Sequence, residues 1–497
     1  MNTFKRKALS CAVLAGLGLA AGTAQAVYQD PNGLGQALIY PYYTVQQQGG
    51  NSYNTYLSIV NSTTTGKALK VRFREGKNSR EVLDFNLFLS PNDVWVAALI
   101  PADNTATSGT RLITTDTSCI APQQIPAAGI DFRNYQYVGT AADGGPTGLD
   151  RTREGYLEVV EMATVTGAAL TAITHTAAGT PANCAVVQAA GFAASGLFAP
   201  PTGGLSGTYT LINVQNGADM GGNAIALANF RAAAAYTDVG DETSNIASAD
   251  PLAVVVANQP GGTTVYTAGF ASGADAVSAT MMHASVINEY VLDANTRSNT
   301  DWVMTFPTKR FYVTTTTATT PFTNKFTANG ACETISFAFF NREERAGQAA
   351  LGDFSPVLPG VSDALCWESS VLSIRNGQSH MPSSTSVSGV LGSQNTQAVS
   401  VTTGFQNGWA RLTFTGANAT GTGLAATAGT AINVNTGVTS ATAPVFRGLP
   451  VVGFMVRNFN NGQLTCTGAT GTANVACQCT YGSAFDHKYI QSITPAP

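Results

Sequence analysis

The chain has 497 residues, and only 11% of them are charged, 25 Lys and Arg against 29 Asp and Glu. So sparse and mildly acidic a set provides no clustered basic footprint for a phosphate backbone, which excludes a nucleic-acid binder. The length exceeds what one hydrophobic core usually serves, so two or three domains are expected.

The first 26 residues read as an address. Lys5, Arg6 and Lys7 precede an apolar run over 8–21, and Ala24, Gln25 and Ala26 supply a small-x-small cleavage pattern. This is the pattern of a secretory signal peptide, 1–26, with a mature chain starting at Val27. The apolar run is shorter than the roughly 20 residues a bilayer requires. Cys11 stands at the start of that run, not at its end where a lipidated cysteine belongs. Loss of the leader removes three basic residues, leaving 22 against 29 acidic ones and a net charge of −7. No later stretch reaches 18 consecutive apolar residues, so no transmembrane helix is expected in the mature chain. The polar ending "IQSITPAP" also differs from the aromatic-ended last strand usual in outer-membrane barrels.

The strand signal then begins at once. "ALIYPYYTV", "TYLSIVNS", "ALKVRF", "VLDFNLFLS" and "DVWVAALIP" follow one another, separated by "QQQGGNS", "TTTG", "EGKNSRE" and "PN". Short apolar runs punctuated by Gly, Asn and Pro predict antiparallel sheet in a sandwich-like domain over 27–140. Within it, "VRFREGKNSREVLDF" (71–85) holds seven charges in fifteen residues. Alternation places Val71, Phe73, Leu83 and Phe85 inward, Glu75 to Arg80 in the turn, and the charges largely on a solvent face. Arg72 or Arg74 would pair across the hairpin with Glu81 or Asp84.

A second β-rich domain is expected over 141–325. "EGYLEVVEMATV" is a strand, 164–206 reads as a long Ala/Gly/Thr-rich excursion, and "GTYTLINV" resumes regular structure. "GNAIALANFRAAAAY" fits either a strand or an Ala-rich helix. Val277, Met281 and Ala284 share one helical face, which predicts a helix over 275–290. A C-terminal β-rich domain, 326–497, contains "ETISFAFFNREER", "WARLTFTG", a low-complexity Thr/Ala/Gly stretch and "VVGFMVRNF". Asn-Gly steps at Asn216, Asn329, Asn376, Asn407 and Asn461 mark tight turns.

Seven cysteines follow the leader: Cys119, Cys184, Cys332, Cys366, Cys466, Cys477 and Cys479. Their spacing lacks the paired CxxC of a zinc site, whereas an exported chain forms disulfides by default. Sequence neighbours suggest Cys119 with Cys184, Cys332 with Cys366, and Cys466 with Cys477 or Cys479. One thiol is then left over.

Chemistry-bearing motifs are sparse. "GFASG" at 269–273 puts its serine one place late for a nucleophile elbow. "NSTTTGKA" lacks the first glycine and the hydroxyl residue of a phosphate loop. His175, His283, His380 and His487 lie far apart in sequence. The best metal candidate is "DANTRSNTD", where Asp293, Asn295, Asn299 and Asp301 place oxygens at alternating positions, as calcium loops do. Arg297 interrupts that set, and no glycine supplies the sharp turn. The carboxylate pairs Glu158/Glu161 and Glu343/Glu344 are not poised for glycan hydrolysis: the first faces opposite sides of a strand, and the second sits between two arginines. Trp95 and Trp302 read as core, while Tyr42 and Tyr43 are open to a sugar-stacking role.

"ALIYPYYTV", "LSIVNSTTTGKALKVRFREG", "REGYLEVVEM" and "TDWVMTFPTKRFYV", scattered through 38–313, resemble segments of uncharacterised exported surface proteins of Gram-negative bacteria. The resemblance implies export and a β-rich fold and carries no activity. Together these readings predict a mainly β chain of antiparallel sandwich-like domains, with long Gly/Thr/Ala-rich loops and at most one or two short helices. Its expected role is non-catalytic: a surface or extracellular structural or adhesive protein, outer-membrane-associated, whose partner is an envelope or extracellular polymer or a second copy. No catalytic or cofactor-binding residue is assigned, and calcium is the one ion considered. The alternative is a secreted carbohydrate-binding protein or glycan-processing hydrolase.

Overall fold

In a computed structural model, described over residues 25–259, 261–348, 364–378, 380–381, 386–415, 423–466 and 475–495, the five N-terminal apolar runs are all strands. They span Ala37–Thr44, Asn54–Asn61, Gly66–Glu75, Glu81–Leu89 and Val94–Pro101. They divide between two antiparallel sheets. One has Glu154–Val165 at its centre, between Ala37–Thr44 and Gly66–Glu75; the other runs from Ile130–Asp131 through Thr110–Ile113, Val94–Pro101, Asn54–Asn61 and Leu205–Asn213 to Ala218–Asn223. Their inner faces meet in an apolar core that includes Leu38, Val71, Phe73 and Leu157 from the first sheet, and Ile59, Trp95, Leu99 and Leu211 from the second.

The alternation on Asn54–Asn61 shows the rule: Leu57 and Ile59 are buried while Tyr56 between its neighbours is 54% exposed. Gly155 on the central strand has a steric reason. A Cβ there would lie 1.9 Å from the Arg74 carbonyl oxygen, so the backbones approach closely only because the residue is glycine.

A second sandwich packs Glu333–Asn341, Asn407–Phe414 and Ser285–Val291 against Ser369–Arg375, Asn299–Thr305 and Val452–Cys466. Asn299–Thr305 is buried along its whole length, and its alternate residues serve two cores. Trp302 and Met304 enter the core of the second sandwich, while Val303 joins the core of the first. Apolar surface is thus shared between the sandwiches, which fixes one against the other. A four-stranded sheet of Leu252–Gln259, Gly262–Gly269, Ala428–Asn433 and Thr439–Ser440 completes the fold. Its residues join the helix Gly273–Thr280 in a third cluster, which covers Ala37, Ile39 and Val160 on the outer face of the first sheet.

The fold class is therefore the expected one, mainly β with antiparallel sandwiches, although the described residues hold three short α-helices where at most two were expected. The boundaries expected at 140/141 and 325/326 both fall inside a sandwich. The first takes its central strand from Glu154–Val165, and the second takes Ser285–Val291 and Asn299–Thr305 from before residue 325. Pairing between distant strands is a tertiary choice that local composition does not encode.

The helix expected over 275–290 is real only in its first half. Gly273–Thr280 is helical, with the Ser272 hydroxyl accepting from the Asp275 amide at 3.2 Å, whereas Ser285–Val291 is a strand. Val286, Ile287 and Val291 are β-branched and find a ladder partner in Asn407–Phe414, which overrides the helical spacing. The excursion 164–206 folds in part, as the helices Gly167–Ile173 and Ala185–Gln188. The disulfide Cys119–Cys184 ties this region to the first sheet, and Cys332–Cys366 closes the second described bridge, both as expected from sequence neighbours. Cys466, Cys477 and Cys479 lie on strands whose side chains are outside the described set, as does the leader up to residue 24.

Candidate functional site

The charged hairpin, expected to face solvent, is covered instead. Arg72, Arg74, Glu75 and Ser79 are all buried, because the face they occupy is covered rather than solvated. The segment between the strand Ile225–Ala228 and the four-stranded sheet lies over it: Ser244 O accepts from Arg72 Nε at 3.1 Å, and Asp238 O from Lys70 Nζ at 3.1 Å. The expected cross-strand pairs do form, Arg72 with Glu81 and Arg74 with Glu81 at 3.8 Å.

The tip of the hairpin plugs into the second sandwich. Lys77 Nζ lies 4.1 Å from the centre of the Trp367 ring and donates to Asn395 Oδ1, while Ser79 Oγ donates to Glu368 Oε2 at 3.0 Å. Glu75 accepts from the amides of Lys77, Asn78 and Arg80, and its other contact is Arg151, whose Nη2 also donates to Asp143 at 2.6 Å. Glu158 accepts from Arg74 Nε at 3.0 Å and from Arg310 at 3.1 Å on both oxygens. Glu154 accepts from Tyr42, Gln46, Ser393 and the amides of Gln394 and Asn395, so one carboxylate joins both sandwiches.

The titration of these acids follows from their partners. Burial would raise Glu158, but Arg310, Arg74 and Arg72 outweigh it and hold the carboxyl below its ordinary value. Burial is likewise outweighed at Asp143, where Arg151 and Asn78 bring it down to about 2. Burial wins at Glu368, which is pushed up to about 7 despite Lys309 and Ser79. A perturbed acid of this kind can mark catalysis, yet here Glu75, Glu154 and Glu158 are each held by several fixed protein donors, and Glu368 accepts from Ser79. The network is a lock between sandwiches.

Other residues singled out in the sequence are placed as follows. Asp301 accepts from the amides of Gly389, Val390 and Leu391, and Asp293 from those of Asn295 and Thr296. Asn299 donates to Asn458 Oδ1 at 3.0 Å. The carboxylates of Asp293 and Asp301, two of the four expected calcium ligands, are thus engaged in organising loops, and no group of three acidic, His or Cys side chains suited to a metal occurs among the described residues. Glu158 and Glu161 do leave opposite sides of their strand, Glu161 pairing with Lys67 at 2.8 Å. Trp95 and Trp302 are core, and so are Tyr42 and Tyr43, which removes the latter two as stacking platforms. His283 and His487 are buried, and burial brings them down to about 3 and about 4.

A groove of about 410 Å³ lies on the outer face of the second sheet of the first sandwich. Ser58 and Thr208, whose hydroxyls are 2.8 Å apart, form its floor with Gly207. Asp30 and Asn32 wall one side, and Asn223 and Asp486 also line it. Gly207 faces the opposite way, into the core, where a Cβ would collide with the buried Tyr40 hydroxyl, so glycine lets the sheet sit closely on Tyr40. Asp30 shapes the wall by accepting from the Leu34 amide at 2.9 Å. Beyond Ser58 the same sheet face presents Tyr56, Val94 and Val96, which are 54%, 45% and 42% exposed. No local pattern announces this arrangement, because its residues come from segments up to 457 positions apart. The only local signal was the Asp-Pro-Asn-Gly turn at 30–33.

Fold and groove together define a disulfide-containing, multi-sandwich β protein with a polar surface groove beside an apolar sheet face. No family model matches the chain, and no similar curated protein or solved structure was found.

Proposed function

We propose that the chain is an exported, non-catalytic surface or extracellular protein that makes structural or adhesive contact with envelope or matrix polymer through rigid β modules. The observation that carries this reading is the sheet face of Tyr56, Val94 and Val96. It is exposed on one side and backed on the other by the fully packed first core, so it presents a flat, stiff contact surface. Two disulfides fit an oxidising compartment, and no described helix is long and apolar enough to cross a membrane. Fractionating the native host and sizing the released protein tests the reading. Retention with envelope or matrix is expected, and a freely soluble extracellular monomer would contradict it.

A second reading, a secreted carbohydrate-binding protein or glycan-processing hydrolase, is favoured by one observation: Asp30 and Asp486 line the same groove. Release of reducing ends from a polysaccharide would decide for the hydrolase.

A further inference from the structure

We infer that the groove beside Ser58 is a binding site for a neutral glycan. This rests on the reading of the protein as a polymer-contacting module and names the chemistry it would contact. The lining is chemically uneven in an informative way. Ser58, Ser206 and Thr208 offer hydroxyls, Asn32 and Asn223 offer amides, and Asp30 and Asp486 offer carboxylate acceptors, while the lining contains no Lys or Arg. Hydroxyls and amides both donate and accept, and carboxylates accept from sugar hydroxyls. The two acids and the lack of a basic partner disfavour an anionic chain such as a uronate or a phosphate-bearing polymer.

The apolar part of a sugar also has a place to rest. Tyr56 stands two residues from Ser58 on the same strand, hence about 7 Å along the same face. Its cross-strand partner is Thr210, which in turn faces Gly221, so no bulky neighbour overhangs the ring on that side. An exposed aromatic beside convergent hydrogen-bonding groups matches both surfaces of a pyranose, and the volume suits about one or two rings of a longer chain. The groove is open and lies on a rigid sheet, so the chain could continue across the Val94 and Val96 face.

The test uses the mature full-length protein and titration calorimetry with cellohexaose, chitohexaose and maltohexaose, with oligogalacturonate as the acidic comparison. At least one neutral oligosaccharide should bind better than the acidic one. Tyr56→Ala should weaken that binding about three- to tenfold, and Thr208→Arg, which fills the floor, should abolish it. Both positions are exposed, so the variants should keep the wild-type circular dichroism and melting temperature. Trp409→Ala, on the second sandwich, should bind as wild type. Absence of binding to all three neutral probes, preference for oligogalacturonate, or binding indifferent to both groove variants would each overturn the inference. Reducing ends released during titration would instead overturn the non-catalytic reading while leaving the groove assigned.

Discussion

Glu158→Gln tests the claim that buried charge locks the two sandwiches together. The wild-type carboxylate is buried and meets Arg74 Nε once and Arg310 Nη2 twice, at 3.0 to 3.1 Å. The amide keeps the shape but loses the charge, leaving Arg310 without its counter-ion and Arg74 with only Glu81 at 3.8 Å. Arg74 is almost fully buried, whereas the Arg310 side chain is 16% exposed and recovers some hydration. Removing one partner of a buried pair costs about 3–5 kcal/mol, and the partial exposure of Arg310 places this case near the lower end, about 3 kcal/mol. Urea unfolding at pH 7 should show a single transition with an unchanged slope and a lower midpoint. The pH dependence supplies a second check. The Glu158 carboxyl is held below its ordinary value in the fold, so its stabilisation is present above the unfolded pKa and lost as pH falls through the folded one. The gap between wild type and variant should therefore shrink below about pH 4.5. A cost under about 1 kcal/mol, or a gap that does not change with pH, would refute the lock.

Glu368 behaves in the opposite sense. Burial raises it to about 7, so its favourable contribution is complete below its unfolded value and is lost as pH rises toward 7. Glu368→Gln should raise stability at pH 8 by on the order of 1–3 kcal/mol and give no gain near pH 4, as read from melting temperatures. His283 and His487 are held neutral, so stability should fall as pH drops below about 6.5, each residue contributing a slope of about 1.4 kcal/mol per pH unit until it protonates in the fold. His283→Phe should remove its share of that slope, and an unchanged pH profile would contradict the assignment. Replacing Cys119 and Cys184 together by Ser should cost about 3–4 kcal/mol through the loop of 65 residues that the bridge closes, measured by urea unfolding. Because the Asp293 and Asp301 oxygens already serve backbone amides, saturating calcium should leave the melting temperature of chelator-treated protein unchanged; a rise of several degrees would restore the loop as a calcium site.

Strand positions were legible because period-2 alternation is a local property. The runs "TYLSIVNS" and "TDWVMT" read as strands, and both are strands in the fold, Asn54–Asn61 and Asn299–Thr305. Turn chemistry was legible in part. Gly217, Gly330 and Gly377 follow their asparagines with positive φ, as turns require, whereas Asn407 and Asn461 sit on strands. What failed was which sheet face lies against which layer. Charge alternating with apolar residues on Val71–Arg74 looks the same whether the polar face meets water or a second layer carrying its own acids and carbonyls. The Ala-rich tail after Phe230 reads as helix-forming, but in the fold it is irregular: the Ala235 amide donates to Met162 O and the Ala235 carbonyl accepts from Ser244. The groove is the extreme case, since hydroxyls at Ser58 and Thr208 become neighbours only when their strands pair.

The central claim is that the face of Tyr56, Val94 and Val96, with its adjoining groove, holds the protein to an envelope or matrix polymer. Co-sedimentation of the purified mature protein with the insoluble envelope and matrix fraction of its native host tests this most directly, comparing wild type with a Tyr56→Arg/Val96→Arg double variant. Both positions are exposed, so the fold should be retained. The account predicts that wild type pellets with the fraction and the double variant stays in the supernatant. Equal pelleting of the two proteins, or a wild type that remains soluble, would contradict it.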